Sequence, residues 1–154
     1  MEVDLEAVKA GMNGAVPFAG HVGLEIIELE PGACTVRLPD RPALRNHVGS
    51  QHAGSLFTAG ETASGGAFVG AFAAEMADLR PLVRDAQIAY TRVANGEITA
   101  RAAFGESVET LRVRLEAEGA VDFTVAVELT DGEGDVVAKM TVAWNVKRRA
   151  AAPA

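Results

Sequence analysis

Glu61 is the residue whose position most needs a chemical reason. From residue 53 to about 76 the chain consists almost entirely of Ala, Gly, Phe, Leu, Ser and Thr, and Glu61 is the only charge before Glu75. A run of this composition reads as a helix buried nearly all round. An ionised carboxylate on such a dry surface costs several kcal/mol unless it is paired, protonated or wet. It serves either as a base or nucleophile with a raised pKa, or as the partner of a buried Arg or of solvent at an edge. The residues alone leave both readings open.

A second chemical feature stands at the start of the same helix. Gln51-His52-Ala53-Gly54 places small residues in the first turn, where backbone N–H groups have no intrahelical acceptor. Such donors can stabilise the charge that develops on a carbonyl oxygen under attack, typically by roughly 3 kcal/mol per donor. The plainer reading of His52 is that it caps the helix or fills a gap. Glu61 lies about eight residues further on, about 12 Å at ~1.5 Å per residue, too far for one chain to bring both groups to one small carbonyl. Two such helices antiparallel about a two-fold axis would bring each Glu61 to its neighbour's helix start, so the spacing predicts a dimer at least.

The elements that position these groups follow from pattern. Residues 3–13 read as an amphipathic helix, and Pro17 restarts the chain. Alternating segments at about 22–30 and 33–39 are joined by Pro31-Gly32, which suits a type II turn. Residues 40–51 read as an ordered loop. Strands are predicted over about 82–94 and 97–105, joined by Asn95-Gly96 as a hairpin. A surface helix at 107–118 follows, with Leu111 and Leu115 on one face. The final strands, from Val121 to Thr130 and about 135–147, alternate apolar and polar residues around a turn at Asp131-Gly132. The expectation is an α+β domain over residues 1–147, with six largely antiparallel strands around one long central helix, and a disordered tail at 148–154.

Composition narrows the function. The chain has 154 residues, enough for one domain with a substantial core, and a formal charge of −7, which argues against nucleic acid. Eleven arginines against three lysines could still supply a local basic patch for an anionic coenzyme. The single cysteine, Cys34, alternates with Val36 and Leu38 and is expected to face the core, with no intrachain disulfide. The acidic first residues do not read as a secretion signal and no stretch reads as a membrane span, so the cytoplasm is the expected location. His21 and His47 lack the clustering of a zinc site, and neither a Gly-x-Ser-x-Gly elbow nor a phosphate loop occurs. No metal or organic cofactor is expected. Arg92, Arg101 and Arg112 are candidates for an anion-binding patch, beside the plainer reading of solvated surface charge.

The segment Asn46-His47-Val48-Gly49-Ser50-Gln51-His52-Ala53-Gly54, continuing to Glu61, resembles the Asn-x-x-Gly-x-x-His-Gly-Gly-then-acid motif of hotdog-fold acyl-CoA thioesterases, in the phenylacetate-pathway and 4-hydroxybenzoyl-CoA branch. Pro17-Phe18, His21 and Gly23 before the first strand extend the resemblance over nearly the whole chain. It implies a hotdog fold, with Glu61 as the carboxylate that activates water or attacks the thioester. Gly54 or Ala53 would be the amide donor, and His52 and Asn46 would position thioester and water. It also implies an acyl-CoA substrate with a short, medium or aromatic acyl group, and a homodimer or a homotetramer built as a dimer of dimers. Two positions depart from the motif. Ala53 replaces the first Gly, and Gly65 occupies a position that is polar in some relatives, leaving Ser64 and Thr62 as candidates for a helper hydroxyl. The rival readings are a non-catalytic acyl-CoA-binding module, a carrier-protein thioester as substrate, and a hydratase, for which an Asp and His pair at the helix entry is lacking.

Overall fold

The computed structural model describes residues 2–151. Helix α1 (Leu5–Met12) is capped by the Asp4 carboxylate, which accepts from the Glu6 and Ala7 amides. A second short helix, α2 (Pro17–Val22), stands where no element is predicted from the sequence. Pro17 sits in its first turn, and Gly23 ends it at φ 85°. The hairpin of β1 (Glu25–Glu30) and β2 (Ala33–Leu38) turns at Gly32, whose φ of 81° fits the type II expectation. Helix α3 (Ala53–Phe72) follows the loop and runs into a 3-10 segment, Ala73–Asp78. Then come β3 (Leu79–Tyr90), β4 (Ile98–Phe104), α4 (Val108–Glu118), β5 (Ala120–Thr130) and β6 (Val136–Arg148).

All neighbouring strands pair antiparallel, in the order β1-β2-β4-β5-β6-β3. This order overturns the hairpin expected at Asn95-Gly96: β3 pairs with β6, and β4 lies between β2 and β5. The Gly96 carbonyl instead accepts from the Gln51 side-chain amide at 2.9 Å, which ties the crossing segment to the loop before α3. Gln51 also donates to the Pro39 carbonyl at 3.0 Å, so one side chain fastens two loops at the helix entry.

The sheet wraps around α3. The inward faces of β5 and β6 carry Val121, Phe123, Val125, Val142, Trp144 and Val146, all buried. Phe68 lies at the centre with Phe72, Phe123 and Trp144 stacked on it at centroid distances of 5.3–6.3 Å. Small residues let the strands approach the helix backbone closely. A Cβ on Gly70 would overlap the Glu30 carbonyl oxygen, and one on Gly66 would overlap the Cys34 sulfur. Cys34 is buried as expected, and burial pushes its thiol pKa up to about 12.

The last strand extends to Arg148, and the Arg149 amide donates to the Asp78 carbonyl at 2.8 Å, so the expected tail begins in ordered backbone. Its residues 152–154 lie outside the described residues. Among the described residues no helix is long and apolar enough to cross a membrane.

Candidate active site

Helix α3 is not buried nearly all round, as its composition predicts. Ala53, Gly54 and Phe57 are exposed, and Thr58, Glu61, Thr62, Gly65 and Val69 are half-exposed, so one stripe is left uncovered along its length. Glu61 stands midway along this stripe. Burial raises its carboxyl pKa above the ordinary 4.5, and no ion pair or hydrogen bond reaches the carboxylate among the described residues. Among the described residues of the protomer no Arg pairs with it, and the readings that stand are a base or nucleophile and a carboxylate that meets solvent at an edge. A desolvated carboxylate without a partner is suited to accept a proton or attack an electrophile.

His52 is the N-cap of α3, and its Nδ1 accepts from the Gly54 amide at 2.8 Å. The Gly54 N–H is therefore engaged in the free protomer. The amide of Ala53 has no acceptor among the described residues, and Ala53 is exposed. The free donor at the helix start is thus the residue that departs from the Gly-Gly pair. Its carbonyl accepts from the Tyr90 hydroxyl at 3.1 Å, which places a phenol from the edge strand against the same turn.

The other candidates divide. Asn46 uses its whole amide locally: Nδ2 donates to Ser50 Oγ at 2.8 Å, and Oδ1 accepts from the Val48 and Ser50 amides at 3.1 Å. It shapes the loop that delivers His52. Ser64 is fully buried, donates to the Glu61 carbonyl at 2.7 Å and accepts from the Trp144 indole at 3.1 Å, so its hydroxyl is committed to the core. Thr62 borders the same cavity as Glu61. Arg92 lines a groove with Asn46 and Ala53 and pairs with Asp135 at 3.0 Å. Arg101 is on the outer face of β4, bonded to Thr130 at 3.1 Å, and is not brought to the site. Arg112 donates to the Ala71 carbonyl at the far end of α3. His21 and His47 are exposed.

Two residues escaped the sequence reading. Arg45 shares a cleft with His52 and Gly54, its guanidinium held by Asp40 at 3.0 Å, and Tyr90 reaches the helix start from β3. Neither follows a spacing rule, since both arrive by tertiary contact. Beside Glu61 lies a cavity of about 220 Å³, bounded by α3, β1 and the α1–α2 connection.

The chain matches the family model described as a domain of unknown function (DUF4442) over residues 5–146. No curated protein matches it. Among solved structures it is similar to a Pseudomonas aeruginosa protein of unknown function described as a probable thioesterase, at 28% identity and a TM-score of 0.84, covering 97% of this chain and 99% of that one. It is also similar to a point mutant of the phenylacetic acid degradation protein PaaI from Thermus thermophilus, at 22% identity and a TM-score of 0.66, covering 87% of this chain and 100% of that one. The E. coli PaaI protein is 18% identical with a TM-score of 0.71, covering 94% of this chain and 93% of that one. This chain belongs to the DUF4442 family and has the hotdog fold.

Proposed function

We propose, taking that family and fold as the premise, that the protein is a thioesterase that hydrolyses an acyl-CoA to the free acid and CoA at composite sites across a homodimer. The observation that carries the reading is the unpartnered, desolvated Glu61 carboxylate on the uncovered stripe of α3. In the reaction Glu61 takes a proton from water as the water's oxygen attacks the thioester carbon, and passes it to the departing sulfur. Alternatively, Glu61 attacks the carbon itself to form an anhydride that water then hydrolyses, the water's proton going to the CoA thiolate. The carbonyl oxygen gains charge and is held by the Ala53 amide of the partner's helix, and the sulfur leaves as CoA thiol. His52 and Asn46 act as positioning residues, one setting the first turn of α3 and the other the loop before it. Arg92 and Arg45, bordering the helix start, are better placed to meet CoA phosphates than Arg101.

Support for the dimer comes from the sheet edge as well as the helix. β3 is a terminal strand, yet Leu82, Val83 and Tyr90 on it are exposed, as is Val93 just beyond. These apolar side chains, set among the exposed Arg80, Arg84, Asp85 and Gln87, favour a partner at the edge, and in this proposal a second copy of β3 brings the two α3 stripes together.

The test is release of free thiol from a panel of acyl-CoAs, with variants that dissect the composite site. Ala53→Pro removes the free amide while suiting the first helical position, because His52 before it is already extended at ψ 139°. Glu61→Gln and Ala53→Pro should each lower kcat by about 10²–10³. Equal mixtures of the two, allowed to exchange subunits, should regain about a quarter of wild-type activity, since a mixed dimer holds one intact site. No recovery on mixing, with each variant inactive alone, would place both groups in a single-chain site. Thiol release undiminished in Glu61→Gln would remove this mechanism.

A further inference from the structure

The cavity beside Glu61 carries information about the acyl group. Met12, Val16, Leu24, Val69 and Trp144 give it an apolar wall, and none of its lining residues is Lys, Arg or His. Its polar lining side chains are Asn13, Thr62 and Glu61. The Asn13 amide is spent: Nδ2 donates to the Ile26 carbonyl at 3.2 Å, and Oδ1 accepts from the Ile26 amide at 2.8 Å, pairing the end of α1 to the edge strand β1. A guest entering from Glu61 therefore meets one carboxylate, then hydrocarbon, and no cation.

We infer that this cavity seats the acyl group, within the same protomer that supplies Glu61, and that the group is uncharged and apolar. The inference rests on the thioesterase reading. A second carboxylate on the acyl chain would be buried without a counter-ion and would face Glu61, at a cost of several kcal/mol. A hydrocarbon chain gains from the same wall through burial of its own surface. Gly20 borders the cavity at the exposed surface, and nothing lies within 4 Å of where its Cβ would be, so a large side chain there needs no displacement of the helices and is available to obstruct the cavity.

The experiment compares kcat/KM for acetyl-, hexanoyl- and succinyl-CoA in wild type and Gly20→Phe. It also measures calorimetric binding of hexanoyl-CoA and of CoA alone to Glu61→Gln, with and without Gly20→Phe. Hexanoyl-CoA should exceed succinyl-CoA by about 10² or more. Gly20→Phe should shift the hexanoyl-to-acetyl ratio by at least about tenfold toward acetyl. Hexanoyl-CoA should bind Glu61→Gln more tightly than CoA does, and Gly20→Phe should erase the difference. Succinyl-CoA hydrolysed as well as hexanoyl-CoA, or a ratio unmoved by Gly20→Phe, would overturn the inference and leave hydrolysis standing. If no thioester is cleaved, the thioesterase reading fails and binding alone decides the cavity: equal affinity for hexanoyl-CoA and CoA overturns it.

Discussion

At the scale of single residues, Glu61 ties chemistry to stability. Its folded-state pKa is raised by burial, so the folded protein holds this proton more tightly than the unfolded chain does. The stability this confers is complete below the ordinary value of 4.5. It is lost as pH rises from there through the raised folded value. Glu61→Gln should therefore melt at a higher temperature than wild type at pH 7 and at the same temperature below about pH 4, where both side chains are neutral. Thermal scans across that range check it, and a wild-type advantage at pH 7 would contradict it. His52→Ala removes the cap that accepts from Gly54 and should cost about 1 kcal/mol in urea unfolding.

The type of Glu61 and its isolation were legible in the sequence, and so was His52 as a cap. That the Gly54 amide is occupied while that of Ala53 is free was not, because the choice depends on which way one imidazole turns. Ser64 could not be placed either: its hydroxyl belongs to an indole 80 residues away, a partner no local pattern reveals.

At the scale of elements, α3 shows why composition overstated burial. Alanine, glycine and serine sit equally well under a strand or in an open stripe, so they do not mark which face is covered. The two kinds of glycine separate under substitution. Gly70→Ala forces a methyl group against the Glu30 carbonyl and should destabilise by about 1–3 kcal/mol. At Gly65 the new Cβ would lie 3.7 Å from Trp144, an ordinary contact, and Gly65→Ala should be neutral or add up to about 1 kcal/mol through helix propensity. Denaturant midpoints of the two variants measure the contrast. The strands β5 and β6 and the hairpin β1–β2 were readable because their alternation and turn residues are local. The hairpin at Asn95-Gly96 failed because the partner of β3 is fixed by pairing with β6 from Tyr90↔Ala138 to Leu79↔Arg148, at the other end of the sequence. Helix α2 has six residues, too few to display a period, and is defined by Pro17 and Gly23 at its ends.

At the scale of the whole molecule, the proposed dimer would cover the exposed apolar side chains of β3 and the open stripe of α3. Val83→Lys, with Val83 39% exposed on β3, places a charge on that edge and should lower the dimer fraction in sedimentation experiments while leaving the protomer folded. If each site draws on both chains, as proposed, activity should fall with the dimer fraction. A monomeric variant with full turnover would separate assembly from catalysis.

Trp144 is the only tryptophan in the chain. Its indole borders the space beside Glu61 and donates to Ser64. Displacement of water from that space would change the polarity its ring senses, so the protein carries an intrinsic optical gauge. A shift of emission on adding an acyl thioester to Glu61→Gln would report occupancy without any label, and the size of the shift across a homologous series would trace how far each chain reaches.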